Sequence, residues 1–200
     1  MLIDKAIFNF YQLAYSPGLT MSPQWWEVLN LASWKEVYSR SPECRQSVDT
    51  LIQSRRGFAI PSLTVPEAEW QLYVCREIER LPKLLAALGL IRLARLDYLL
   101  LRQYRESLLI YFEPHELTQL EAIYPDVQFI DEQIKVDVEP LSVSSLPSLA
   151  LYLGWDGLQQ SNIFWQVLAI LFPPNFMSTG VGEEARALMQ QWFVRFRRLL

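Results

Sequence analysis

A mainly α-helical chain is predicted here, one compact multi-helix domain over residues 1–200 with a short extended stretch around 127–138. Three observations predict it. Hydrophobic residues make up 51% of the sequence and charged residues 20%, which is enough apolar surface for a buried core and too much for a disordered chain. Helix-start signals recur along the chain at intervals suited to helices of ordinary length. Leu81 to Phe112 is a leucine-rich run far longer than a buried strand. With 200 residues, against domains of ~100–150, one folding unit is the expectation.

The elements follow in order. Ser22-Pro23 and Ser41-Pro42 each place a capping side chain before a proline, whose missing N–H costs nothing at a helix start. Thr64 to Glu67 has capping-box spacing. In Phe112-Glu113-Pro114-His115-Glu116-Leu117, Pro114 fits the first helical position, Glu116 the third, and Phe112 can staple onto Leu117. Asp156-Gly157 and Gly182-Glu183-Glu184 open the last two helices, with acidic groups at the positive end of the dipole. The helices so predicted cover 23–38, 42–54, 66–80, 82–89, 91–111, 114–123, 145–153, 157–172 and 183–199. Within 127–138, Ile134, Val136 and Val138 alternate with Lys135 and Asp137, the period of a strand or one arm of a hairpin. No repeat, low-complexity tract or linker interrupts the chain.

Composition excludes several chemistries. One His and two Cys exclude most zinc folds, His-dependent relays and disulfide scaffolds. Cys44 and Cys75 read as reduced thiols. His115-Glu116 is half of a zincin motif whose second histidine position is Gln119. Gly180-Val181-Gly182-Glu183-Glu184-Ala185 has the spacing of a dinucleotide fingerprint, but no strand precedes it and two glutamates would repel a phosphate. Glu67/Glu69, Glu77/Glu79 and Asp131/Glu132 are too close in sequence to share a face. No catalytic, cofactor-binding or metal-binding residue is therefore predicted, and the expectation is a protein that is not an enzyme. A net charge of −4 gives no field that would draw it onto nucleic acid. The ten apolar residues Ile163 to Phe172 fall short of the ~20 a membrane span needs. The opening residues lack a secretory signal's basic head and unbroken apolar stretch, so a cytoplasmic protein is expected.

What remains points to binding. Residues 76–105 carry seven basic against three acidic side chains, net +4, and residues 121–139 one against six, net −5. Opposed patches suit docking in one orientation, or simply neutralise each other within the fold. Arg92, Arg95, Arg102 and Arg105 recur at helical spacing in the leucine-rich run, which projects them to one side. Trp25 and Trp26 would point about 100° apart on a helix, leaving one accessible. Trp192 lies among Arg195, Arg197 and Arg198 on the last helix, and Trp and Arg are the types enriched at interface hot spots. These ten residues are the predicted partner interface.

Three stretches carry a resemblance. Phe10 to Trp26, with Ser16-Pro17-Gly18-Leu19 and Ser22-Pro23-Gln24-Trp25-Trp26, is one. The Leu/Arg core from Trp70 through Leu88-Gly89-Leu90 to Phe112 is the second. Leu168 to Pro174 followed by a last helix with Trp192 is the third. Together the chain resembles the SctK/YscK/MxiK/OrgA-type accessory proteins of bacterial type III secretion systems. It departs from them at Thr20-Met21-Ser22-Pro23, where that family often has Tyr-x-His-Pro, and in the strand-like 127–138 stretch. The resemblance implies a helical, non-enzymatic cytoplasmic adaptor of the sorting platform, with no cofactor and no small-molecule substrate. Its partners would be the cytosolic domain of an inner-membrane ring protein (SctD type) and the pod protein (SctQ type). It would be recruited to the inner membrane through a protein, not by insertion. The alternative is a cytosolic chaperone or regulator that binds a hydrophobic helical peptide of a client.

Overall fold

The computed structural model describes residues 5–57, 69–127, 134–136, 140–175 and 181–200, the side chains of 125–127 excepted. In chain order the helices are α1 (Lys5–Tyr15), α2 (Gln24–Val28), α3 (Lys35–Arg40), α4 (Pro42–Arg56), α5 (Glu69–Arg76), α6 (Leu81–Leu93), α7 (Asp97–Leu100), α8 (Arg102–Leu108), α9 (Pro114–Val127), α10 (Leu146–Leu158), α11 (Ile163–Leu168) and α12 (Glu183–Leu199), with short 3-10 turns between some of them. No strand occurs among the described residues, so the helical class is as predicted. The chain divides into two compact units, Met1–Arg76 with Gln160–Met177, and Glu77–Gln159 with Ser178–Leu200. Each is built from two separated stretches of sequence.

The first unit is organised by α1, which the sequence reading did not predict. Ala6, Phe10, Leu13 and Ala14 give it a buried stripe at helical spacing. Phe10 stacks on Phe164 of α11 with centroids 5.4 Å apart. The Asn9 side chain donates to the Cys75 carbonyl at the end of α5 (3.1 Å), and Gln53 of α4 donates to Ala14 O at the end of α1 (2.9 Å). These bonds satisfy carbonyls that a helix end leaves without partners. The predicted helix 23–38 is interrupted. Asn30 adopts a left-handed φ of 53°, which asparagine tolerates better than most residues, and the chain resumes as a 3-10 turn and α3. α4 runs as predicted from Pro42 and stops at Gly57, whose φ of 77° lets its N–H reach back to Gln53 O and Ser54 O. The Thr64 capping signal lies outside the described residues.

Asp49 on α4 is buried in this unit, 3% exposed. Its carboxylate accepts the Gly18 N–H (2.9 Å) and the Tyr38 hydroxyl (3.1 Å to each oxygen). Burial raises its pKa above the ordinary carboxylate value, outweighing the Gly18 and Tyr38 hydrogen bonds and the Arg45 charge that pull it down. Native protein therefore binds a proton more readily here than unfolded protein. This group's contribution to stability is full below the unfolded-state pKa and declines as pH rises through the folded one. Asp49→Asn keeps an acceptor without the charge. Wild type is expected to gain stability relative to that variant as pH falls from 7 toward the ordinary carboxylate value, read as urea midpoints across that range. A constant difference would refute the assignment.

The second unit is built on the antiparallel crossing of α6 and α10. α6 is buried on every side from Leu84 to Leu93, as a central helix should be. Gly89 makes the close crossing. A Cβ placed on it would lie 1.8 Å from the Ala150 carbonyl oxygen, and one on Gly154 would lie 1.8 Å from that of Leu85. Backbone thus meets backbone at two points four residues apart on each helix.

The predicted division at Gly89 does not occur, and the predicted helix 91–111 is broken further on. Ala94 ends α6 with a left-handed φ of 49°, and Leu101 is extended between α7 and α8. Residues 157–172 are likewise not one helix. Asp156 and Gly157 complete α10, and α11 starts at Asn162, whose side chain accepts the Trp165 N–H at 3.2 Å. Of the predicted strand or hairpin, 128–133 and 137–138 lie outside the described residues and 127 is helical. Ile134–Val136 is neither helix nor strand. The Val136 N–H donates to Arg92 O (2.9 Å), so this segment closes the end of α6 instead of pairing with a strand.

Candidate functional site

The structure places the predicted interface residues in three kinds of surroundings. Trp25 and Trp26 are both buried, 7% and 5% exposed, which corrects the expectation that one stays accessible. The Trp25 indole N–H donates to Phe172 O (2.8 Å), and the Arg56 guanidinium lies 4.0 Å over its ring. Trp26 meets the Tyr38 ring edge to face at 5.4 Å. Five-residue α2 is thus covered on two sides, and its tryptophans hold the first unit's core together with Leu31, Val48, Ile52 and Ile170.

Arg92 is the second case. Its side chain is 7% exposed and pairs with Asp156, 2% exposed, at 3.0 Å. The same guanidinium donates to Leu153 O (2.6 Å) and to Ile134 O (3.3 Å). A buried charge is tolerated only with such a set of partners. Arg105 is a brace rather than a surface cation. It donates to Glu121 (2.9 Å), Leu99 O (2.7 Å) and Thr118 Oγ1 (3.1 Å), tying α8 to α9. Arg105 and Glu121 belong to the basic and acidic stretches, so part of that charge split is neutralised inside the fold. Lys83 of the basic stretch pairs with Glu116, which lies outside the acidic one, at 2.6 Å, while Glu116 also accepts the Glu113 N–H (2.9 Å), the reach-back half of a capping box. For Glu116, burial works against ionisation, but the Lys83 and Glu113 hydrogen bonds outweigh it and hold the pKa below its usual value.

Arg95, in the link after Ala94, is half-buried, and Arg102 is largely exposed beside Glu106 at 2.7 Å. The single arginine face predicted from helical spacing does not form, because the breaks at Ala94 and Leu101 destroy the register between these four residues. The third case is the end of α12. Arg195 and Arg198 are exposed and Arg197 is half-exposed. Trp192 tilts onto Phe196 at 5.5 Å with the Arg195 guanidinium 4.7 Å above it.

The same breaks turn other residues outward. Leu100, Leu101, Leu109 and Ile110 are 50%, 47%, 48% and 72% exposed. Beside them runs an open groove of about 360 Å³ lined by Leu100, Arg102, Arg105, Glu106, Leu109, Pro114 and Leu117. The sequence predicts one unbroken helix over 91–111 for all four, and that reading misses the surface. The available signal was the return of polar residues at 102, 103, 105 and 106 after the apolar Tyr98–Leu101.

Candidates for chemistry are few among the described residues. No group of three or more His, Cys, Asp or Glu is placed to hold a metal ion. Burial pushes the Cys75 thiol up to about 12, far from a reactive thiolate. Among the described residues no helix is long and apolar enough to cross a membrane. Residues 8–174 match a family described as a type III secretion system subunit. No curated protein and no solved structure matches the chain.

Proposed function

Because the chain belongs to the type III secretion system subunit family, we propose that it is a non-enzymatic adaptor of the sorting platform, working on the cytoplasmic face of the inner membrane. It would join the cytosolic domain of a ring protein of the SctD type to a pod protein of the SctQ type. The observation that carries this reading is the exposed aliphatic surface of Leu100, Leu101, Leu109 and Ile110 beside the α7–α9 groove. Leu100 and Leu109 meet at that groove, and apolar side chains exposed together beside a groove suit a protein contact. Burying each of these side chains contributes about 1–2 kcal/mol. Association itself costs ~4–15 kcal/mol, so four such residues cannot hold a partner alone and serve as the centre of a larger interface.

The test uses the purified full chain with the two partner types. Leu109→Glu with Ile110→Glu is expected to weaken co-purification with one of them at least tenfold while leaving the melting temperature unchanged, since both side chains already face water. Folded wild type that binds neither partner at low salt would overturn the reading. Capture of a secreted client in place of an apparatus component would favour the chaperone.

A further inference from the structure

We propose that the outward side of α1 pairs with the same side of a second copy of this chain, antiparallel about a two-fold axis. This goes beyond the adaptor reading and uses a different element, so the two can fail separately. α1 buries Ala6, Phe10, Leu13 and Ala14 and leaves Phe8 and Tyr15 on its opposite side, 57% and 49% exposed. At seven residues apart, the two lie within about 20° of one line along the helix, with Tyr11 and Gln12 to either side of it. Tyr11 is half-buried, and its ring centroid lies 5.8 Å from that of Tyr15, which steadies Tyr15 before any contact forms.

Spacing and charge together name the occupant. Phe8 and Tyr15 stand equally far from the point between Tyr11 and Gln12, so the stripe is its own complement under a two-fold axis through that point. Such an axis sets Phe8 of either copy against Tyr15 of the other, giving two aromatic pairs. From Ala6 to Trp26 the sequence has no Asp, Glu, Lys or Arg, so a charged partner surface would find no counter-charge on this stripe. Lys5 falls roughly 10 Å from the axis and about 5 Å beyond Tyr15 of the second copy, where the following residues are uncharged. A parallel pair would instead oppose Lys5 to Lys5. A lipid surface fits less well, because helices that lie on bilayers carry several Lys or Arg beside their apolar side and α1 has Lys5 alone. Three half-exposed aromatics bury about 300 Å² per copy. That is well under the ~800 Å² per partner of a stable interface, so the pair is weak and forms only at about 10–100 μM protein.

Sedimentation equilibrium of the purified full chain, from about 5 to about 300 μM, spans the expected midpoint and tests this. Wild type should pass from monomer to dimer over that range. Phe8→Lys and Tyr15→Glu should each weaken the dimer at least tenfold at unchanged melting temperature, since both side chains already face water. Combined in one chain, they set Lys against Glu at both ends of the pair and should return the dimer to within about threefold of wild type. Should a variant fold poorly, Gln12→Cys in a Cys44→Ser background gives a second reading. Residue 12 of both copies lies beside the axis, so mild oxidation should link the two chains through it. The Leu109→Glu, Ile110→Glu chain should dimerise as wild type does, which separates loss of this pairing from loss of adaptor binding. A monomer at every concentration, leaving the stripe to another protein or a lipid surface, would overturn the proposal. So would a dimer indifferent to Phe8→Lys, a double variant without rescue, or a residue 12 cysteine that links no copies.

Discussion

Gly89→Ala and Gly154→Ala are each expected to destabilise the protein by about 3 kcal/mol or more, against the usual behaviour of that substitution in a helix. Alanine is normally favoured over glycine inside a helix by ~1 kcal/mol. Here the new methyl would sit 1.8 Å from a carbonyl oxygen of the facing helix, a separation that cannot persist. The obstacle is main chain, not a flexible side-chain tip, so α6 and α10 must move apart. That movement opens gaps among Leu84, Leu85, Leu88, Ala150 and Leu151, all buried at this crossing. Total stability of a domain is ~5–15 kcal/mol, so either variant should lose a large share of it. The check is the urea midpoint of each variant at unchanged slope, with helix content by circular dichroism. Trimming the Ala150 side chain should give no rescue, because its carbonyl is the atom struck. A variant as stable as wild type would show that the two backbones are not in contact.

Arg92→Met is expected to cost about 3–5 kcal/mol, because it leaves the Asp156 carboxylate buried without its counter-charge. Asp156→Leu should cost a similar amount for the converse reason. The double variant removes both charges, and a large part of the loss should return, since well-packed apolar side chains often replace a buried ion pair at little cost. The cycle of four proteins, followed by urea unfolding, measures the coupling directly. Additive losses would mean that Arg92 acts through its bonds to Leu153 O and Ile134 O, not through the carboxylate. In either case hydrogen exchange at Val136, whose N–H is bonded to Arg92 O, should quicken in Arg92→Met.

Where local chemistry decides the structure, the sequence was readable. Pro42 and Pro114 start α4 and α9 where predicted, Glu116 makes its backward hydrogen bond, and α12 occupies its predicted span. α1 was equally readable from Ala6, Phe10, Leu13 and Ala14 and was overlooked. The breaks at Ala94 and Leu101 were not readable. A left-handed alanine costs ~1–2 kcal/mol locally, and only contacts far along the chain, such as Val136 on Arg92 O, offset it. The candidate site suffered most from this. Helical spacing put four arginines on one side, and two broken turns sent Arg92 inward, set Arg105 against Glu121 and exposed four aliphatic residues. At the level of family, the loose resemblance agrees with the type III secretion match over 8–174.

The first unit is completed by residues synthesised last but one. Ser22 N–H donates to Ile170 O and the Trp25 indole to Phe172 O, yet the contiguous stretch of that unit ends at Arg76. On a ribosome adding 5–20 residues per second, the nascent N-terminal helices wait roughly 5–20 s for the segment that seals them. During that interval Trp25 and the leucines around it lack their closing partner and are open to premature association. Cutting the gene at either boundary would yield an orphaned half in each case, so dissection of this protein calls for circular permutation rather than truncation.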